Sequence, residues 1–387
     1  MQSMGQITCE PFFKKNFYNR IQIRKNSKIQ TKETPNLDNL SGEIARNPKY
    51  KKSINSCFDF LFPKGDEDDT RVTEKDHRKT ELYCNFIRNL VSKGGPNPED
   101  YQALHNFYAE LYNDIRDGNL NKQQVLRIWD QFGPVLTLES LYGRCLLQDG
   151  GIGSYKRISE IHEKRISTNP QLANWDLHYQ RGLEAPNAVR ERLAVATEEA
   201  LQEFSHSEKL FCIKDLPSGP GDFGKFFYQR IKDAGMDKDR VDFHCGDLDE
   251  ESIEYAKQQN PDISADRFRQ IDLRKYQFGR LNDWPNEPMA DFIYCAGFCD
   301  YLSDKRAIKM LNEFYKSLKD GGCAIVGNFN KDFPDKYVLY MHNWFLRDRS
   351  KSEMLAIALQ AGISKNEISF LNLKNRTTQI LMRIRKI

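Results

Sequence analysis

No run of this sequence approaches the 18 or more apolar residues that cross a bilayer, and the first 25 residues carry charges where a secretory leader would place its apolar segment. A soluble, cytoplasmic protein is therefore expected. Paired cysteines are lacking too. There are nine, an odd number, spread from Cys9 to Cys323 without one C-x-x-C pair, so neither a disulfide framework nor a cysteine zinc site is indicated and no metal is assigned. Buried free thiols are the expectation. A large net charge is also missing, at +3, but that figure hides an uneven distribution. Residues 1–52 hold eleven basic side chains against four acids, which leaves +7 there and −4 elsewhere. Residues 1–55 therefore read as a basic, largely unfolded arm that could touch nucleic acid or an anionic surface. The charges are spread out and no aromatic stacking pattern accompanies them, which favours a solvated tail without a partner.

What is present is globular. With 387 residues, 39% of them hydrophobic and 12% aromatic, the chain can bury the cores of two or three compact units. Residues 56–185 carry helical signals. Asn97 precedes Pro98, Glu99 and Asp100 in the order cap, first-turn proline, first-turn acids, and Tyr101, Leu104, Tyr108, Leu111, Tyr112 and Ile115 recur on one face until Gly118. Further helices are predicted over 123–132, 154–166 and 187–204, broken by Gly133-Pro134, the glycine loop at 150–153 and Pro186. The loop at Gly150 lacks the following Lys-Ser/Thr and the preceding strand of a phosphate cradle, so it reads as a connection.

From Leu210 the pattern alternates between strand and helix, which implies a parallel sheet with crossover helices. Strand 210–214 leads into Asp215-Leu216-Pro217-Ser218-Gly219-Pro220-Gly221 and then a helix. Glycines there let a ligand approach the backbone, and the helix N-terminus offers unpaired N–H groups. Strand 241–246 ends at Asp247-Leu248, where an acid can accept from both ribose hydroxyls. A third strand, 267–271, ends at Asp272-Leu273 on the same sheet edge, where an adenine amino group could donate. Each acid alone could be a helix cap, but three consecutive strand ends with suitable groups favour a ligand. The fourth strand runs from Ala290 into Gly297-Phe298-Cys299-Asp300-Tyr301, and Asp320-Gly321-Gly322 precedes a fifth at 323–328. Strands at 368–373 and 378–384 form a closing hairpin around Lys374-Asn375-Arg376.

In this order of glycine loop, second-strand acid, third-strand acid, fourth-strand tip and Gly-Gly turn, residues 186–387 resemble the class I S-adenosylmethionine-dependent methyltransferases. The resemblance implies a Rossmann-like seven-stranded α/β methyltransferase sheet preceded by a helical region. It also implies S-adenosylmethionine as cofactor, held by Ser218, Gly219, Gly221, Asp247, Leu248, Asp272, Leu273, Gly297 and Phe298, with Arg190 on the methionine carboxylate. Pro217 stands where the family usually has its first glycine. A narrower similarity, carried by Ala296 to Asp304, Asn343 to Arg349 and Ala188 to Arg192, is to bacterial methyltransferases that make hydroxy-fatty-acid methyl esters of the extracellular-factor type. Cys299 stands where that group often has an apolar residue. It implies a small, apolar or carboxylate-bearing methyl acceptor.

Methyl transfer is an in-line displacement that needs alignment and exclusion of water. A carboxylate acceptor is already ionised at neutral pH, whereas a hydroxyl or amine would call for a base such as His342, His178 or Asp300, with Tyr301 beside it. The acceptor pocket is expected under the helical region and the insertion 332–349, where Tyr337, Tyr340, Met341, Trp344 and Phe345 cluster, although at helical spacing these are equally core. Two other readings stay open. Gly219-x-Gly221-x-x-Gly224 and Tyr301-x-x-x-Lys305 mimic a nicotinamide-dependent oxidoreductase, but no second nucleotide-binding half is recognisable. A non-catalytic binding module directed by the basic arm is the other.

Overall fold

The computed structural model describes residues 74–387 except 137–139, 148–153, 281–283, 285, 343 and 375–376. The basic arm, the Gly150 loop and the tip of the C-terminal hairpin lie outside the described residues. The described residues form two compact units, one of 74–88 with 113–134 and one of 89–112 with 135–387. Residues 135–185, read from the sequence as part of a separate helical region, thus group with the sheet.

In the smaller unit, helix α3 (Lys122–Asp130) starts with a capping box in which Asn121 and Gln124 satisfy each other's backbone N–H groups. Asp114 accepts from Tyr83 Oη and Lys79 Nζ, both at 2.5 Å, which ties the first part of α1 (Glu74–Ser92) to the end of α2 (Tyr101–Arg116).

In the larger unit α2 follows a 3₁₀ turn at Pro98–Asp100 that Asn97 caps as expected. Helices α4 (Leu141–Leu147), α5 (Tyr155–His162), α6 (Pro170–Leu177) and α7 (Glu184–His206) come next. α7 begins three residues earlier than the sequence reading. Pro186 does not break it, because a first-turn proline gives up an N–H that has no helical partner anyway. The start is fixed by Asp335, whose Oδ2 accepts from Ala185 N at 2.6 Å.

Seven strands then form one sheet in the order β3-β2-β1-β4-β5-β7-β6. They are β1 (Phe211–Asp215), β2 (Val241–Asp247), β3 (Phe268–Gln270), β4 (Ala290–Ala296), β5 (Leu318–Phe329), β6 (Ile368–Phe370) and β7 (Gln379–Arg385). β1 to β5 pair in parallel, and β7 runs antiparallel between β5 and β6. Asp320-Gly321-Gly322 is part of β5 rather than a turn before it, since Gly321 N donates to Lys386 O and Lys386 N to Gly322 O. β6 is shorter than the six residues read from the sequence.

Apolar side chains of alternating parity fill both faces. Phe292, Tyr294, Cys323 and Ile325 face α7, α8 (Asp222–Asp233) and α9 (Glu250–Gln259), whereas Ile293, Cys295, Ala324 and Val326 face α10 (Asp304–Ser317) and α12 (Lys351–Gln360). This double burial is why the central strands read as continuous apolar runs. A short helix, α11 (Lys336–Met341), lies between β5 and α12 in the chain. The strand order reverses between β1 and β4, and the crevice at their carboxyl ends is where such sheets take their ligands.

Candidate active site

The loop after β1 is shaped by its glycines. Gly219 and Gly221 have φ of +53° and +76°, values that side chains rarely adopt. A Cβ on Gly221 would meet Asn260 Nδ2 at 2.6 Å, whereas one on Gly219 would meet nothing within 4 Å. Gly221 is therefore needed for packing and Gly219 borders open space. Ser218 N donates to Gly246 O at 2.9 Å, which ties the loop to β2, and the Ser218 hydroxyl is buried with no partner among the described residues. Both oxygens of buried Asp215 are likewise unpartnered there. Burial, then the nearby Asp247 and Asp222 carboxylates, push the Asp215 carboxyl well above its ordinary range.

Asp247 ends β2 as expected and accepts from Gly219 N at 2.9 Å and Asp249 N at 3.0 Å. Burial raises it to about 6 against those hydrogen bonds. Asp249 is the cap of α9, accepting from Glu251 N. Asp272 stands at the neighbouring edge and is gripped by Arg274 Nε and Nη2 at 2.7 and 2.8 Å. Burial pushes its carboxyl up, but the hydrogen bonds and charge of Arg274 outweigh that, and the net shift is downward. Leu273 is in the core, and Leu248 uses its carbonyl to accept from Gln270 Nε2.

A cleft opens over these strand ends. Ser218, Gly219 and Asp247 line one side and Gly297, Asp300 and Tyr301 another. Leu248, Asp272, Leu273, Phe298 and Arg190 are not among its walls. Phe298 packs on the apolar cluster under α10. Asp300 is 1% exposed; its Oδ1 accepts from Phe329 N at 2.5 Å, and burial raises its carboxyl to about 6 despite that bond and the nearby Arg192. The Tyr301 hydroxyl accepts from Trp344 Nε1 at 2.7 Å, which brings the insertion 332–349 to the cleft through Trp344 and Leu346. Tyr337 and Tyr340 pack instead on Tyr112, with centroids 5.1 and 5.5 Å away, and Met341 is core.

The two predicted histidines lie elsewhere. His342 is fully buried between Tyr142, Tyr108 and Tyr179, at 4.6, 5.6 and 5.8 Å between ring centroids, and burial holds it well below its ordinary range. His178 meets His105 across 3.3 Å between their Nε2 atoms, and burial lowers it to about 3. Arg190 is spent on local structure, donating to Ile161 O, Gln180 Oε1 and O, and Asn187 Oδ1. The reason is helical geometry, since a two-residue step turns its side chain about 200° away from that of Arg192.

Arg192, His162 and Asp222 are among the cleft residues that sequence reasoning missed. Arg192 is 5% exposed, and a Cβ on Gly297 would come 2.7 Å from its Nη2. With its amide set to satisfy both neighbours, Gln379 donates to Ala188 O and accepts from Arg192 Nη1, each at 3.0 Å. The signal was present, because Arg192 interrupts the apolar face made by Val189, Leu193 and Ala196. His162, the last residue of α5, also lines the cleft, with Nδ1 2.5 Å from Asp222 Oδ2. No local pattern marks it, since the pair joins positions 60 residues apart. Away from the cleft, Cys212, Asp242 and His244 lie within 4.8 Å of one another in the amino-terminal halves of β1 and β2, with Asp242 paired to His244 Nε2 and Arg267 Nε. All seven cysteines among the described residues are buried and free. No helix there is long and apolar enough to cross a membrane.

Residues 215–324 match the family of methyltransferase domains. No curated protein matches the chain. Among solved structures, a possible exported protein from Bordetella parapertussis superposes with a TM-score of 0.50 at 16% identity, covering 81% of this chain and 99% of that one. Others are a TehB-like SAM-dependent methyltransferase from Corynebacterium glutamicum (TM-score 0.34, 18% identity, 53% and 98% coverage) and the N-methyltransferase NodS from Bradyrhizobium japonicum with S-adenosyl-L-homocysteine (0.36, 13%, 60% and 97%). The cofactor that goes with this fold and domain is S-adenosylmethionine, and the cleft fits it. Asp222, Asp247 and Asp300 on its walls offer three carboxyl groups against one guanidinium to a ligand that carries a sulfonium and an ammonium.

Proposed function

We propose that this chain transfers a methyl group from S-adenosylmethionine to a small acceptor held in the cleft. The observation that carries the reading is the pair of orphaned polar groups at the glycine loop, the buried Asp215 carboxyl and Ser218 Oγ, the second of them on the cleft wall. Burying such groups unpaired costs about 1–3 kcal/mol each, which a bound ligand offsets. When bound, the cofactor supplies an electrophilic methyl carbon on a sulfonium.

The chain's own residues bind and orient. Ser218, Gly219 and Gly221 bring the backbone close, and Asp247 accepts from the ribose hydroxyls. Gly297 flanks the sulfur end. Arg192, rather than Arg190, faces a carboxylate. Tyr301, Phe329, Trp344 and Leu346 exclude water and hold an apolar body, so the acceptor is small and apolar or carboxylate-bearing.

The nicotinamide reading is weaker. Tyr301 is engaged by Trp344, Lys305 is exposed, and the antiparallel β7 beside β5 departs from the parallel second half of a dinucleotide fold. Thermal melting tests the choice, since a ligand at 100 times its Kd adds about 2.7 kcal/mol. S-adenosylhomocysteine is expected to raise the Tm. A Tm raised by a reduced nicotinamide dinucleotide and unmoved by S-adenosylhomocysteine would overturn it.

A further inference from the structure

His162 and Asp222 come from segments that share no motif, yet they meet in the cleft at 2.5 Å between Nδ1 and Oδ2. Both side chains are nearly buried, at 8% and 7% exposure. Asp222 is the first residue of α8, directly after the glycine loop, so the pair stands beside the cofactor cradle. With Nδ1–H donated to the carboxylate, Nε2 is the nitrogen that carries the lone pair. That atom is buried with no partner among the described residues. His178 and His342 also bury unpartnered ring nitrogens, but of the three only His162 lines the cleft.

We infer that the His162–Asp222 pair is a general base and that the acceptor's reacting group is a hydroxyl on an aromatic ring. This rests on the methyltransferase reading. A carboxylate acceptor is ionised before it arrives and has no use for a base beside the donor, whereas a phenol must lose its proton. The wall of Tyr301, Phe329 and Trp344 suits a flat apolar ring. In the step, an oxygen lone pair forms the new O–CH₃ bond as the S–CH₃ bond breaks. The bonding pair stays on sulfur, cancelling the sulfonium charge, and the phenolic proton passes to Nε2. His162 is the catalytic residue and Asp222 its positioning residue. The titratable and charged groups that share the site are Asp215, which lies near both Asp222 and Asp247, with Asp247, Arg192 and Asp300 on the cleft walls.

The experiment uses the full chain and phenols graded in acidity, from alkylphenols to nitrophenols. In the unmodified protein methyl transfer to phenols is expected. His162→Gln should lower kcat on alkylphenols by about a hundredfold or more, the usual weight of general-base catalysis. On nitrophenols, which reach the site already ionised, the loss should stay within about tenfold. An activity-free reading accompanies it. With S-adenosylhomocysteine bound and the pH below the phenol's own pKa, 4-nitrophenol should develop its phenolate absorbance on the unmodified protein and not on His162→Gln. Asp222→Asn, which keeps an oxygen for Nδ1, should give the same pattern more weakly and serves if His162→Gln does not fold. Equal losses on all phenols, no loss on any, transfer to carboxylic acids or amines alone, or transfer to none of these would overturn the inference. Failure of the unmodified protein to bind S-adenosylhomocysteine by titration calorimetry would instead remove the methyltransferase reading beneath it.

Discussion

Replacing Asp247 by Asn separates a ligand-binding carboxylate from a helix cap. The Asp247 carboxylate holds two backbone N–H groups, Gly219 N at 2.9 Å and Asp249 N at 3.0 Å, one on each oxygen. Each oxygen keeps a second lone pair, so both ribose hydroxyls can be accepted without giving up either bond. Asn has one acceptor oxygen and an NH₂ that would face a backbone donor. The variant therefore loses the charge and one acceptor for ribose, and it sets a donor against a donor at the loop. A hydrogen bond to a charged group contributes about 1.5–3 kcal/mol, and 1.4 kcal/mol is tenfold, so S-adenosylhomocysteine is expected to bind about ten- to a hundredfold more weakly. Stability should change less. The misplaced donor costs about 1–3 kcal/mol, but the variant is spared the burial penalty that raises the carboxyl to about 6. Titration calorimetry measures the effect, with Asp249→Asn as control. Asp249 caps α9 and Asn is an equally good cap, so that variant should bind as the unmodified protein does. Equal affinities for Asp247→Asn and the unmodified protein would refute the ribose assignment.

Acidification should weaken the cofactor in its charged form. Asp247 and Asp300 both ionise near 6 because burial raises them, so protons compete with the cationic ligand below that pH. Affinity for S-adenosylmethionine should fall about tenfold from pH 7 to pH 5 if one such carboxylate must be ionised; an affinity flat over that range in calorimetry would contradict it. The two loop glycines should fail differently. Gly221→Ala drives a Cβ into Asn260 and Ala256 and should lose about 1–3 kcal/mol in urea unfolding. Gly219→Ala, with open space around its Cβ, should lose about 1–2 kcal/mol from its left-handed backbone alone and show the larger fall in S-adenosylhomocysteine affinity. Equal stability losses with equal affinities would show that Gly219 does not face the ligand.

The parallel sheet and the residues at its strand ends were legible in the sequence because they are local. Asp215 to Gly221, Asp247 and Gly297 each follow an apolar run, and a strand that ends in a turn residue places that residue at the sheet edge whatever the rest of the chain does. The Asn97-Pro98 start before α2 was legible for the same reason, whereas the helix α6, which Asn169-Pro170 opens with the same signature, was not read from the sequence. Choices among chemically equal residues were settled by tertiary structure. Arg190 and Arg192 differ by two positions, and only the packing of α7 decides that the first holds Gln180 and the second faces Gly297. The two histidines read from the sequence as candidate bases, His178 and His342, are buried away from the cleft, His342 among aromatic rings, whereas the fold brings His162, which that reading passed over, to Asp222 across 60 residues of chain. A sequence specifies which groups are available and their neighbours along the chain. The carboxylate that orients an imidazole acts only over a few ångströms, and that proximity exists only once distant segments have packed.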